Sequence, residues 1–284
     1  MKKILLFLIP FIASPMLIGC NKNESNNNGY GVLLGANEED IDKLLDYKSV
    51  CIDLDEFSQD SIQKLKNKNI EIYAYLSIGS LEDYRSYYEE FKDITFMNYQ
   101  GWGHERWVDV SHIEWQSHIS SEADRLKTMG ADGIFMDNFD VYYFASEVYE
   151  ERTAEFIEGV YQGCYNMLDD LTKKDMKLMM NSGTDFISRC KVVDKETPID
   201  KVDVYAQEAV FSKFTDICLN GNCFQKQVKS EQDYLMEYID IMSDTADILL
   251  IEYAIDKQVI KEIKDYCNKN NFYYYITNSS NLDA

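Results

Sequence analysis

Histidine and proline are scarce, with only 3 of each (His104, His112 and His118 being the histidines) among 284 residues. No His-x-His pair and no HExxH run occurs, which excludes a zinc hydrolase built on clustered imidazoles. GxGxxG and GxxxxGKS/T runs are missing too, so no loop is built to cradle a nucleotide phosphate. Basic residues are few: 28 Lys+Arg stand against 50 Asp+Glu, a formal net charge of −22. A surface this acidic repels phosphate backbones and argues against a nucleic-acid partner. There is no Cys-x-x-Cys among the 7 cysteines. Neither a cofactor nor a metal is expected. What remains is an ordinary globular composition, 45% hydrophobic and 27% charged.

The N-terminus reads as an export signal. Lys2 and Lys3 precede an apolar run, residues 4–18, which is of signal-peptide length and short for a membrane span. It ends in Leu17-Ile18-Gly19-Cys20, which resembles the lipobox of bacterial lipoproteins. That resemblance implies removal of residues 1–19, lipidation of Cys20 and a lipid-anchored protein of the bacterial cell envelope, facing the outside or the periplasm. Residues 20–29, rich in Asn and lacking large apolar side chains, read as a flexible tether. Residues 30–284 are then a single folded domain. Cys218 and Cys223 flank Leu-Asn-Gly-Asn, a turn-forming stretch that favours a disulfide in an oxidising compartment; two free thiols are the alternative. Cys51 lies in an apolar run and reads as core.

Apolar runs at 30–35, 49–55, 70–79, 107–110, 133–138, 177–183, 203–209 and 248–254 read as strands, with a ninth at 272–277. Helical patterns fall at 58–68, with Ser58 as N-cap, at 112–129, stopped by Gly130, and at 147–171, 231–242 and 257–270. Segments 185–199 and 211–229 read as long loops. Strand and helix in alternation over one domain's length predict an α/β fold, a (β/α)8 TIM-type barrel with one additional strand.

In such a barrel the chemistry sits at the C-terminal strand ends. A charge within a stave is costly unless it lies at such an end. The runs deliver Asp53 and Asp55, Asp109, Asp137 followed by Asp140, Glu208 and Glu252 to one rim. Tyr75, Ser77, Asn138, Asn181, Tyr205 and Tyr253 join them as expected substrate contacts. Carboxylates with aromatic neighbours suit glycoside hydrolysis: one carboxyl stays protonated for the leaving oxygen, and another stays ionised. Tyr and Trp faces stack on sugars, and Trp102 on a rim loop beside His104 is a candidate. Arg85 reads as a structural clamp on rim acids, Asp140 as an N-cap or loop ligand, and His112 and His118 as helix-surface residues.

The motifs have a family likeness. Residues 72–85, IYAYLSIGSLEDYR, resemble the AYLSIGEAEDYR stretch of glycoside hydrolase family 114. Trp107-Val-Asp109 and GADGIFMDNFD, residues 130–140, are similar to that family's GFDGVFLDNVD strand and its surroundings. Asn181-Ser-Gly183, Gln207-Glu208 and Ile251-Glu-Tyr-Ala254 follow in order. Departures are GADG for GFDG, Gln207 before the seventh-strand acid, and Glu252 where an Asp is expected. The resemblance implies an endo-α-1,4-polygalactosaminidase acting on galactosamine-rich exopolysaccharide of the biofilm kind. By position, it makes Asp137 and Glu208 the catalytic acids. Asp137, on the shorter arm, is expected as nucleophile and Glu208 as general acid/base of a retaining mechanism. An acidic rim would attract a partly deacetylated, cationic polymer. The competing expectation is a non-catalytic surface lipoprotein that binds polysaccharide on the same scaffold.

Overall fold

The computed structural model describes residues 29–100, 103–193, 197–219, 222–279 and 281–282. Residues 1–28, and with them the signal, Cys20 and most of the tether, lie outside the described residues, as do Trp102 and the Cys218 side chain.

Eight parallel strands form one sheet: β1 (Tyr30–Val32), β2 (Ser49–Ile52), β3 (Glu71–Ser77), β4 (Gly133–Asp137), β5 (Lys177–Asn181), β6 (Val204–Glu208), β7 (Asp247–Tyr253) and β8 (Tyr273–Thr277). They neighbour one another in chain order. Helices α1 (Ile41–Leu44), α2 (Gln59–Asn67), α3 (Ile113–Met129), α4 (Ala154–Leu171), α5 (Thr184–Val193), α6 (Lys229–Met242) and α7 (Lys257–Asn270) supply the crossovers. The barrel is nearly closed. Among the described residues β1 and β8 share no ladder, but the Tyr30 and Tyr273 rings meet edge-on at 4.9 Å. The Gly35 N–H also donates to the Leu282 carbonyl at 3.2 Å. The lumen is filled: Cys51 on β2 reaches Met179 on β5 at 3.6 Å.

Local chemistry sets the boundaries. The Ser58 hydroxyl accepts from the Ser61 N–H and starts α2. Thr153 does the same for α4 through Phe156 N–H. Gly130, at φ 123°, stops α3 in a conformation that side chains avoid.

The stave assignment needs correcting at two places. Glu105–Val108 is the middle strand of a separate antiparallel sheet with Ser80–Glu82 and Thr95–Asn98, inserted between β3 and α3. The run at 107–110 is therefore no stave, and the run at 272–277, expected as surplus, supplies β8. Half-buried Glu105 and Arg106 mark the difference, since staves covered on both faces read as continuous apolar runs. The expected loop at 185–199 holds α5, whose Phe186, Ile187 and Cys190 form a buried helical stripe. The expected loop at 211–229 holds a hairpin, Ser212–Leu219 against Asn222–Lys226, with Phe214 facing Phe224. Cys223 in this hairpin is disulfide-bonded, whereas Cys51, Cys164, Cys190 and Cys267 are free and buried.

Candidate active site

Three consecutive staves end alike. Asp137, Asn181 and Glu208 are the last residues of β4, β5 and β6. The residue after each, Asn138, Ser182 and Ala209, adopts a left-handed backbone at φ 68°, 55° and 58°. Non-glycine residues rarely sit there, and each costs on the order of 1 kcal/mol or more. The abrupt turn lets the chain leave the barrel at once, so the last stave residue looks into the mouth. Gly79 permits the close crossing, for a Cβ there would lie 2.2 Å from the Asn138 carbonyl oxygen.

The mouth is a cavity of about 640 Å³. At its floor the Asn181 side-chain amide donates to Asp137 Oδ1 at 3.0 Å and to Glu208 Oε1 at 2.8 Å. The sum of those distances, 5.8 Å, is the ceiling on the separation of the two oxygens. The Asn138 N–H also donates to Asp137 Oδ1 at 2.9 Å. The Tyr253 hydroxyl donates to Glu208 Oε2 at 2.5 Å. Burial pushes the Asp137 carboxyl well above its ordinary range, and the Glu208 charge adds to the effect. Asn181 and the Asn138 N–H oppose it.

Further acids stand around them. Glu105 reaches in from the antiparallel sheet and accepts from Asn138 Nδ2 at 3.3 Å and from the Ser80 hydroxyl. Burial raises it to about 7. Asp140 is raised to about 7 for the same reason, against a bond from the Gly183 N–H. Arg85 is committed elsewhere. Its guanidinium bonds Asp53 at 2.8 Å and Glu82 at 2.7 Å. The clamp expected of Arg85 is thus the geometry seen.

Of the residues expected to touch substrate, Asp53, Tyr75, Asn138, Asn181 and Tyr253 line the cavity beside Asp137 and Glu208. Five do not. Asp55 follows the turn Leu54–Glu56 outward to Arg125 on α3, at 2.7 and 3.0 Å. Ser77 is buried beneath the floor, where its hydroxyl accepts from Asn138 Nδ2 at 3.0 Å. Asp109 accepts from the Ser111 N–H and hydroxyl at 3.1 and 2.6 Å, ahead of α3, with no stave to carry it. Tyr205, an odd number of residues from Glu208, faces the other side of β6, where its hydroxyl donates to Gln207 at 2.6 Å. Glu252 is fully buried and accepts from the Phe211 and Ser212 N–H groups, each at 2.9 Å, so it roots the hairpin. His118 also departs from expectation, packing among the rings of Tyr87 (4.2 Å) and Phe91 (4.8 Å). Glu105, Glu82, Tyr99 and Tyr84 line the cavity without having been singled out from the sequence. All four belong to the inserted segment between β3 and α3. The signal available was its polar, amphipathic strands.

Among the described residues no group of His, Cys, Asp and Glu is arranged to hold a metal ion. A paired, half-buried Asp and Glu at the C-terminal mouth of a (β/α)8 barrel define a glycoside hydrolase. The comparisons agree. Residues 20–284 match the model of glycoside-hydrolase family GH114, and the chain belongs to that family. An uncharacterized protein of Methanocaldococcus jannaschii, MJ1477, is 24% identical over 89% of this chain and 76% of its own length. The glycoside hydrolase domain of PelA from Pseudomonas aeruginosa superposes with a TM-score of 0.72 at 15% identity, covering 90% of this chain and 96% of that one. Aspergillus fumigatus Ega3, solved in complex with galactosamine, gives a TM-score of 0.66 at 17% identity, with 90% and 92% covered. At these identities the structural likeness speaks for the fold.

Proposed function

We propose that this chain hydrolyses α-1,4-linked galactosamine or N-acetylgalactosamine exopolysaccharide, with Asp137 and Glu208 as the reacting pair. The observation that carries the reading is the single Asn181 amide joined to both carboxylates at the cavity floor. Asp137 acts as nucleophile. Its two N–H donors work against the burial that raises its carboxyl, and both use Oδ1, leaving Oδ2 for the anomeric carbon. Glu208 protonates the glycosidic oxygen as the bond to the anomeric carbon breaks. It then takes a proton from the water that releases the sugar from Asp137. The 5.8 Å ceiling suits the separation of about 5–5.5 Å that goes with retention of configuration. The galactosamine specificity draws on the family resemblance, on the galactosamine bound to Ega3, and on an acidic mouth. The envelope reading stands beside it: Cys20 carries the lipid, and residues 20–29 hold the enzyme off the bilayer.

The test is incubation with α-1,4-galactosaminan and a panel of neutral glycans, following reducing ends and, by NMR, the anomer released first. Wild type is expected to give the α-anomer from the galactosamine polymer. Asp137→Ala rescued by azide should give a β-glycosyl azide, and Glu208→Ala an α-glycosyl azide. An initial β-product overturns retention. A folded protein that binds the polymer without cutting it would be the binding lipoprotein instead. Cys20→Ala should release the protein from the membrane fraction.

A further inference from the structure

We propose that Tyr84 is a sugar-stacking platform, a subsite that holds the polymer at a distance from the bond being cut. The proposal rests on the polysaccharide reading above and adds a residue to it. Tyr84 lines the cavity, yet the residue is 65% exposed. A large ring left in water at a site's edge gains by being covered.

This ring also rests against a fixed neighbour. The Arg85 guanidinium lies 5.0 Å from its centroid and 5.7 Å from that of Tyr75. Arg85 is itself held by Asp53 and Glu82, with a side chain only 10% exposed. On the other side of Tyr84, the Asp83 N–H donates to the His104 carbonyl at 2.8 Å, and the Asp83 carboxylate pairs with the His104 ring at 3.0 Å. Both neighbours of Tyr84 are thus tied down. A platform ordered before binding gives up little conformational freedom when a sugar lands on it.

Its position gives a direction. Tyr84 and Tyr75 both border Arg85, and Tyr75 lies two residues before Ser77, the register partner of Asp137. Both rings line the cavity that holds Asp137 and Glu208, and Tyr84 is the exposed one. A chain lying over that ring is gripped away from its cleaved bond, as cutting within a polymer requires. One guanidinium between two carboxylates leaves the layer beneath the ring with net negative charge, which favours an amino sugar over an acidic one.

The experiment uses the full chain. Affinity for α-1,4-galactosamine disaccharide and hexasaccharide is measured by calorimetry in the Glu208→Gln background, with and without Tyr84→Ala or Tyr84→Phe. Polymer kinetics are run on the same Tyr84 substitutions in wild type. Tyr84→Ala is expected to weaken hexasaccharide binding and raise polymer KM about tenfold, about 1.4 kcal/mol. It should leave kcat and disaccharide affinity within about twofold. Tyr84→Phe keeps the ring and should behave like wild type. Equal losses on both lengths, or a fall in kcat, would show that Tyr84 merely supports Arg85. No loss on the hexasaccharide would remove the platform while leaving the hydrolase reading intact. A wild type that neither binds nor cuts any galactosamine chain removes both.

Discussion

At the N-terminal end of the barrel, Asp132 accepts the Ile72 N–H at 2.9 Å and pairs with Lys66. Glu71 pairs with Lys177 at 2.5 Å, and Asp203 accepts the Leu178 N–H at 2.8 Å. At the C-terminal end, Asp137, Glu208 and Glu105 meet amides, hydroxyls and one another, and Arg85 is taken up by Asp53 and Glu82. The same residue types thus tie adjacent staves at one end and are crowded without cationic partners at the other. Neutralised acids hold the fold, whereas at the mouth burial raises Asp137 above the ordinary carboxyl range and Glu105 to about 7. Their like charge counts against the folded state.

Removing the crowded acids breaks this contrast most sharply. Asp137→Asn and Glu208→Gln should each lower kcat by roughly a thousandfold or more, as losing a nucleophile or a general acid does. Calorimetry should show an unchanged or higher Tm, because a like-charge pair has gone; a lower Tm would erase the distinction between the two ends. Asn181→Ala should lower kcat about a hundredfold. It removes a donor that favours ionised Asp137, so the acid limb of the kcat/KM profile should move to higher pH.

Next in size is the pH dependence of stability. Glu105, Asp140 and Glu252 are each raised to about 7 by burial, above the ordinary carboxyl range. A carboxyl raised by folding favours the folded state fully below its unfolded value, and that contribution is lost as pH rises through about 7. Thermal scans should therefore give a Tm several degrees higher at about pH 5.5 than at about pH 8.5. Glu252→Gln should flatten the slope. At the opposite end Asp203→Asn weakens the acceptor for the Leu178 N–H. Stability should fall by about 1–2 kcal/mol in urea titration, with steady-state kinetics unchanged. The smallest effect belongs to Ala209→Gly, which relieves a left-handed alanine and should gain under about 1 kcal/mol.

The barrel was legible because buried staves write themselves as apolar runs, and Asp137, Asn181 and Glu208 end theirs; only the family resemblance set Asp137 and Glu208 apart from the other rim acids. The rim was less legible, for reasons of parity and path. Glu252 and Tyr253 are adjacent, so they face opposite sides of β7; Tyr253 meets Glu208, and Glu252 meets the hairpin. Asp53 and Asp55 share parity only while a strand continues, and β2 ends at Ile52. Glu105 was hidden because it starts a strand whose apolar end, at 107–110, read as a stave and so drew attention to Asp109 instead. The contact of Glu105 with Asn138 joins residues 33 apart in the chain, which no local pattern reports.

That β1 and β8 share no ladder among the described residues has a consequence for how the molecule opens. There the wall is joined by ring packing and the Gly35–Leu282 bond instead of a row of backbone pairs. Amide protons of Tyr30–Val32 and Tyr273–Thr277 should exchange with solvent sooner than those of β4 to β6, so the wall would part along this line first. Asp137, Asn181 and Glu208 end the far staves β4 to β6, so they would keep their spacing while the wall parts at its join.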